Sequence, residues 1–327
     1  GKIRDEAESN LALIRPEVEQ LKSPQVSAAW WSGIAYSHAL SCRWFHVAHP
    51  ARDSFEKFQH LVGVSGFEGA QMLWLDVWSS WFLGNWSEMF EITARMSDDA
   101  LRRSDFFQLA LLVGGFGRGA WLGRDRADDV SQLQTRCRDF TSGTHTSNFF
   151  TVFDYLARIQ ECIYEKRFAE GWEIYQQLDG SLREVPRGTA QLARVSALNV
   201  GTLLAVHRYA EKQDDDWLKR IRSMTRQLRR ELIPFALMLA DYYDGLMLLQ
   251  LGHRSGNEQA MSECRAVLRS ARSQAQQQYL TPYVLAAEDA LQEMEQGQSS
   301  NLLRSRMFQQ GVVNPDSFSR LYTISLR

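Results

Sequence analysis

His38, Cys42, His46 and His49 are the residues whose types and spacing come closest to a reactive constellation. Residues four apart share one face of a helix, and a His–Cys pair at that spacing can hold two corners of a zinc site. Eight residues span about 12 Å along a helix axis, so one ion cannot take His38, Cys42 and His46 together. A ligand from another helix would be needed, and a helix with packed polar aromatics is the simpler expectation. A metal-dependent enzyme using His38 and Cys42 is therefore the weakest of three functional readings. The expected metal and cofactor content is none.

Other chemical motifs are thinner. Gly114-Gly115-Phe116-Gly117-Arg118-Gly119 looks like a phosphate loop, but it lacks the GxGxxG spacing, a preceding strand and a following Lys-Ser/Thr pair. It reads instead as an inner helix whose small residues admit a close neighbour. HExxH, CxxC, GxSxG, HRD and DFG do not occur. Asn85-Trp86-Ser87 is a formal glycosylation sequon placed in a repeat turn, and it is discounted there. The expectation is a chain that is not an enzyme.

Two features point to binding. Trp74, Trp78 and Trp81 fall on one helical stripe, which forms either core or the aromatic floor of a ligand groove. Asp76, Arg118, Asp154, Arg158, Asp241 and Asp244 are charges set in otherwise apolar helices. A buried charge without a partner is strongly unfavourable, so each must pair with a neighbouring helix or face a wet groove. Trp74, Asp76, Trp78, Arg118, Asp154, Arg158, Asp241 and Asp244 are accordingly the candidate binding residues.

The elements that must position these residues recur. About every 40 residues an apolar run closes on a short turn, and a more polar amphipathic run follows. The turns are Leu83-Gly84-Asn85-Trp86, Leu122-Gly123-Arg124-Asp125, Tyr164-Glu165-Lys166-Arg167-Phe168 and Leu251-Gly252-His253-Arg254. A period of 20–50 residues marks a stacked helical array, because one helix pair cannot bury its apolar face alone. The expected pairs are 67–83 with 86–96, 105–122 with 127–140, 149–164 with 168–182, 190–210 with 217–231, and 234–251 with 257–278. Residues 25–47 are expected to form one aromatic-rich helix, and a loop is expected at Pro186-Arg187-Gly188. The division is residues 1–63 as N-terminal capping helices, 64–282 as repeats and 283–327 as C-terminal capping helices. No run alternates with period two between hairpin turns, so the fold class is all-α.

Gly84-Asn85-Trp86 and Arg167-Phe168 resemble the turn of the tetratricopeptide repeat, where a small residue, a polar one and an aromatic join the two helices of a pair. Gly245 falls where that repeat uses a small residue for close packing. The resemblance implies a right-handed TPR-like α-solenoid of antiparallel helix pairs, with units longer than the usual 34 residues. Gly311-Val312-Val313-Asn314-Pro315-Asp316 through Tyr322 resembles the tail that closes helical-repeat regions of large bacterial multidomain serine/threonine kinase and STAND-type ATPase proteins. That implies a sensor or scaffold module of a signalling protein whose catalytic parts lie elsewhere.

Composition narrows the partners. A net charge of −2 gives no global pull toward nucleic acid or an anionic membrane. The basic stretch Lys219–Arg230 reads as a solvated outer face. The most apolar runs are interrupted by Gly115, Arg118, Asp241 and Asp244, which suits buried helices rather than membrane spans. Four scattered cysteines and no signal peptide fit a cytoplasmic chain. The chain opens on Gly1-Lys2 rather than Met, as expected of an excised or processed piece. The leading expectation is a non-catalytic module that binds a protein or peptide segment, other domains of the same polypeptide included. The alternative is a small-molecule effector sensor with an aromatic-lined groove.

Overall fold

The computed structural model describes residues 2–61, 66–141, 147–183, 191–256, 258–296 and 301–324. The proposed boundary at residues 63 and 64, the loop at 186–188 and Asn257 lie outside the described residues. Those described are all-helical, with no strand among them. The helices are α1 (Lys2–Leu21), α2 (Pro24–Leu40), α3 (Phe45–Gln59), α4 (Gly66–Leu83), α5 (Trp86–Arg103), α6 (Phe106–Val113), α7 (Arg118–Leu122), α8 (Ala127–Thr141) and α9 (Ser147–Tyr164). They continue as α10 (Phe168–Arg183), α11 (Gln191–Lys212), α12 (Asp215–Arg230), α13 (Pro234–Ser255), α14 (Glu258–Gln277), α15 (Thr281–Gln296), α16 (Leu302–Gln309) and α17 (Pro315–Ser319).

The helix pairs follow from how each first member ends. The amides of Asn85, Arg126 and Arg167 bond back five residues, to the carbonyls of Ser80, Trp121 and Cys162 at 3.0, 3.0 and 2.7 Å. That six-to-one bond needs a left-handed residue just before the donor. Gly84, Asp125 and Lys166 supply it, with φ of 78°, 56° and 62°. Gln213 and Gly256 hold the same conformation after α11 and α13, with φ of 54° and 61°. The left-handed residues that follow α4, α7, α9, α11 and α13 stand 41, 41, 47 and 43 positions apart.

Two expected turn glycines fall out of this phase. Gly123 keeps helical angles, with φ −63°, and Gly252 lies inside α13. Both serve close packing. A Cβ on Gly123 would stand 2.3 Å from Phe90 Cζ, and one on Gly252 would stand 2.2 Å from Met261 Sδ.

Two expected helices are broken. The run 105–122 divides into α6, a 3-10 turn at Gly115–Gly117 and α7. Gly115 takes φ 51° with the indole of Trp78 packed against it; a Cβ there would meet Trp78 Cζ2 at 2.2 Å. The Gly115 carbonyl accepts from Gln160 Nε2 at 2.8 Å. The run 25–47 divides at Ser41–Trp44, where Cys42 turns left-handed with φ 52° and the Arg43 amide closes on the His38 carbonyl at 2.9 Å.

First members pack in order. α4 meets α6 and the 3-10 turn, that turn meets α9, and α9, α11, α13 and α15 follow in contact. The row returns on itself, because α15 packs against α4, with Pro282 over Gly84. Aromatic side chains fill the enclosed space: Trp44, Trp78, Phe82, Phe116, Tyr242, Tyr283 and Tyr322 are all fully buried. α2 touches both α4 and α11.

The C-terminal stretch crosses the ends of the first members. The Val313 amide donates to the Gly123 carbonyl at 2.8 Å, the Arg320 guanidinium to the Tyr164 carbonyl and the Tyr322 hydroxyl to the Trp81 carbonyl at 3.1 Å. Carbonyls at helix C-termini lack intrahelical donors, so this one segment satisfies three successive helix ends.

Candidate functional site

The charges in the first members are joined to the helices beside them. Asp76 on α4, 2% exposed, takes Arg52 Nη2 of α3 at 3.1 Å, and Arg52 continues to Glu88 of α5 at 2.7 Å. Arg118 on α7 pairs with Glu161 of α9 and donates to Ser131 of α8 at 2.8 Å. Asp154 on α9 takes Arg138 of α8 at 3.0 Å and Gln134 at 2.8 Å, with Arg158 one turn along its own helix at 3.9 Å. Arg229 of α12 forks onto Asp241 and Asp244 of α13, both at 2.8 Å. These six residues are not gathered in one place. They form four separate bridges between neighbouring helices, and only Arg158 has a markedly exposed side chain.

Burial shapes their protonation. It raises the Asp76 carboxyl above its ordinary range, opposed by the Arg52 hydrogen bond and charge. It lowers the Arg118 guanidinium to about 10. The tryptophan stripe is core: Trp74, Trp78 and Trp81 are 3%, 0% and 1% exposed. Trp74 and Trp78 meet edge-on at 4.9 Å and share Phe153.

His38 and Cys42 do not share a helix face, since α2 ends at Leu40. Cys42 is buried, and burial pushes its thiol well up. His38 lies 5.2 Å from His46, ring to ring, and faces Glu8 at 3.6 Å. Among the described residues no cluster of three His, Cys, Asp or Glu is placed to hold a metal ion. In the basic helix, Arg220 lies over the rings of Trp172 and Trp217, at 5.3 and 5.5 Å. No described helix is long and apolar enough to cross a membrane.

An open trough of about 460 Å³ lies between α5 and α8, with α7 as its floor. On α8 it is lined by Asp129, Gln132, Leu133 and Arg136, one face of the helix at the i, i+3, i+4, i+7 spacing. On α5 it is lined by Phe90, Thr93, Ala94, Asp98 and Leu101. Ala120, Trp121 and Arg124 complete it. The guanidiniums stand over aromatic rings: Arg124 over Phe90 at 5.7 Å, Arg126 over Trp121 at 5.3 Å and Arg136 over Phe106 at 5.7 Å. Thr93 and Trp121, 2% and 8% exposed, leave Oγ1 and Nε1 buried without a hydrogen-bond partner. An unmade bond of that kind is worth about 1–3 kcal/mol.

Arg126 and Asp129, paired at 2.7 Å, also line a second, polar recess of about 640 Å³. It is bounded by Asp125, Asp128, Tyr164, Glu165, Lys166, Asn314, Ser317 and Arg320. The Tyr164 hydroxyl donates to Asp125 at 2.5 Å, which fixes the left-handed turn residue as part of the recess wall. The two hollows thus flank the start of α8. Sequence reasoning missed this surface because it weighed first members. The signal was present in the second members, as the row Asp129, Gln132, Leu133 and Arg136 on one face of α8 opposite Phe90, Ala94 and Leu101.

No protein-family model, no curated protein and no solved structure matches the chain.

Proposed function

We propose that the chain is a non-catalytic helical-array module that binds a protein or peptide segment in the trough between α5 and α8 and the recess beside it. The observation that carries this reading is the trough itself. It joins a floor of Ala120 and Trp121 to guanidiniums held over aromatic rings on one open surface. The charges of the first members, by contrast, are consumed in bridges. The thiols are poor nucleophiles at neutral pH, since burial pushes Cys137 and Cys264 up to about 12 and Cys162 up to about 11. An effector sensor using Trp74 and Trp78 would need those rings at a surface, and both are in the core.

The array is read as a divergent, right-handed TPR-like solenoid curled until its first and last inner helices meet. The 41-residue spacing of its early turns and the recurrent pairing of helices support this. The setting is a cytoplasmic scaffold or sensor within a larger signalling protein, where other domains of the same polypeptide are candidate partners. Selection of a displayed random-peptide library against the whole chain tests the reading, with amide hydrogen exchange locating the selected peptides. Protection of α5 and α8 is expected. Failure to enrich any peptide, or protection confined to other surfaces, overturns it.

A further inference from the structure

We propose that the occupant of the α5–α8 trough is an acidic, apolar helical peptide, with carboxylates at its two ends and aliphatic side chains between. This rests on the binding-module reading and specifies its ligand.

Arg124 marks one end of the trough, over Phe90, and Arg136 marks the other, over Phe106. The α5 wall between them runs from Phe90 to Leu101, three helical turns or about 16 Å. A ring beneath a guanidinium occupies its face and leaves its N–H edges free to fork onto a carboxylate. Among the described residues neither Arg124 nor Arg136 forms an ion pair, whereas Arg126 is already engaged by Asp129 at 2.7 Å. Between the two arginines the apolar lining is Ala94, Ala120, Trp121 and Leu133.

The complementary ligand therefore places two carboxylates about three turns apart on one helix face, with leucine-like side chains between them. Asp98, an exposed carboxylate on the α5 wall without an ion-pair partner among the described residues, sharpens the choice. Together with Asp129 it repels a continuous polyanion such as a nucleic-acid strand, while discrete carboxylates at the two ends stay clear of it.

Three fluorescein-labelled 16-residue helical peptides test the proposal by fluorescence anisotropy against the full chain. They share the same leucines and carry glutamate, glutamine or lysine at the two terminal positions. The glutamate peptide is expected to bind, the glutamine peptide at least about ten-fold more weakly and the lysine peptide more weakly still. The Arg124→Gln/Arg136→Gln double variant, matched to the parent in melting temperature, should remove the glutamate peptide's advantage. Hydrogen exchange should place the bound peptide on α5 and α8. Equal binding of all three peptides at the trough overturns the acidic occupant and leaves the binding module standing. No binding of the glutamate peptide, binding unaffected by the double variant, or tighter binding of a 12-nucleotide oligothymidylate also overturns the proposal.

Discussion

The indole nitrogen of Trp86 donates to the hydroxyl of Tyr322 at 3.1 Å across 236 positions of chain. The same hydroxyl donates to the Trp81 carbonyl at 3.1 Å. Tyr322 is thus a clasp between the first helix pair and the C-terminal segment, and its ring stacks on Trp81 at 4.8 Å. Tyr322→Phe keeps the ring but strands a buried donor and a buried carbonyl, an expected loss of about 1–3 kcal/mol. Tyr322→Ala also opens a cavity, and the loss should reach about 3–5 kcal/mol. Chemical denaturation of both variants checks the order.

Arg52 and Asp76 should respond unequally to substitution. Arg52→Ala strands a carboxylate that is 2% exposed, an expected loss of about 3–5 kcal/mol. Asp76→Asn leaves Arg52 with Glu88 and solvent, since its side chain is 39% exposed, and the loss should be clearly smaller. Equal losses in urea melts would show that the buried carboxylate is not the costly partner.

His207 gives the fold a pH dependence. Its ring is stacked on Phe168 at 4.6 Å, and Nε2, as the protonated nitrogen, donates to the Arg320 carbonyl at 2.9 Å. Burial pushes its pKa down to about 4, opposed by that hydrogen bond. The folded value lies below the unfolded one of about 6.5, so the unfolded chain takes up the proton first. The contribution is complete above pH 6.5, falls as pH drops toward 4 and is exhausted there, a total of roughly 3 kcal/mol. Asp76, raised in the folded state, acts with the opposite sign, so the comparison must be with His207→Gln. The difference between parent and variant melting temperatures should shrink from pH 7 to pH 4.

Lys166 holds φ 62° in the turn between α9 and α10. A non-glycine residue there is disfavoured by roughly 1 kcal/mol, and Lys166→Gly should raise stability by up to about that amount. A calorimetric melting temperature below the parent's would show that the lysine side chain contributes more than its backbone strain.

Much of the architecture was legible in the sequence, and its gaps have physical causes. Alternating apolar and amphipathic runs identify helix pairs because burial is periodic at the helical repeat. Turn phase was partly misread because Gly123 and Gly252 were taken as turn residues, whereas Asp125 and Gly256 hold the left-handed conformation and Gly123 and Gly252 make room for Phe90 and Met261. The break at Gly115 was hidden because the indole packed against it comes from α4. The candidate site was the least legible part. Charges in apolar helices catch the eye, but Asp76 and Asp241 find arginines on adjacent helices whose proximity no local pattern reveals. Arg124 and Arg136 look like ordinary surface charges until α5 and α8 stand side by side.

Leu133→Glu separates a binding surface built from α5 and α8 from one elsewhere on the molecule. Leu133 is half-buried in the trough wall, so the change should shift the melting temperature by only a few degrees. A carboxylate there should weaken the library-selected peptides by roughly ten-fold or more, measured by anisotropy. Undiminished peptide affinity in a folded Leu133→Glu protein would contradict the account.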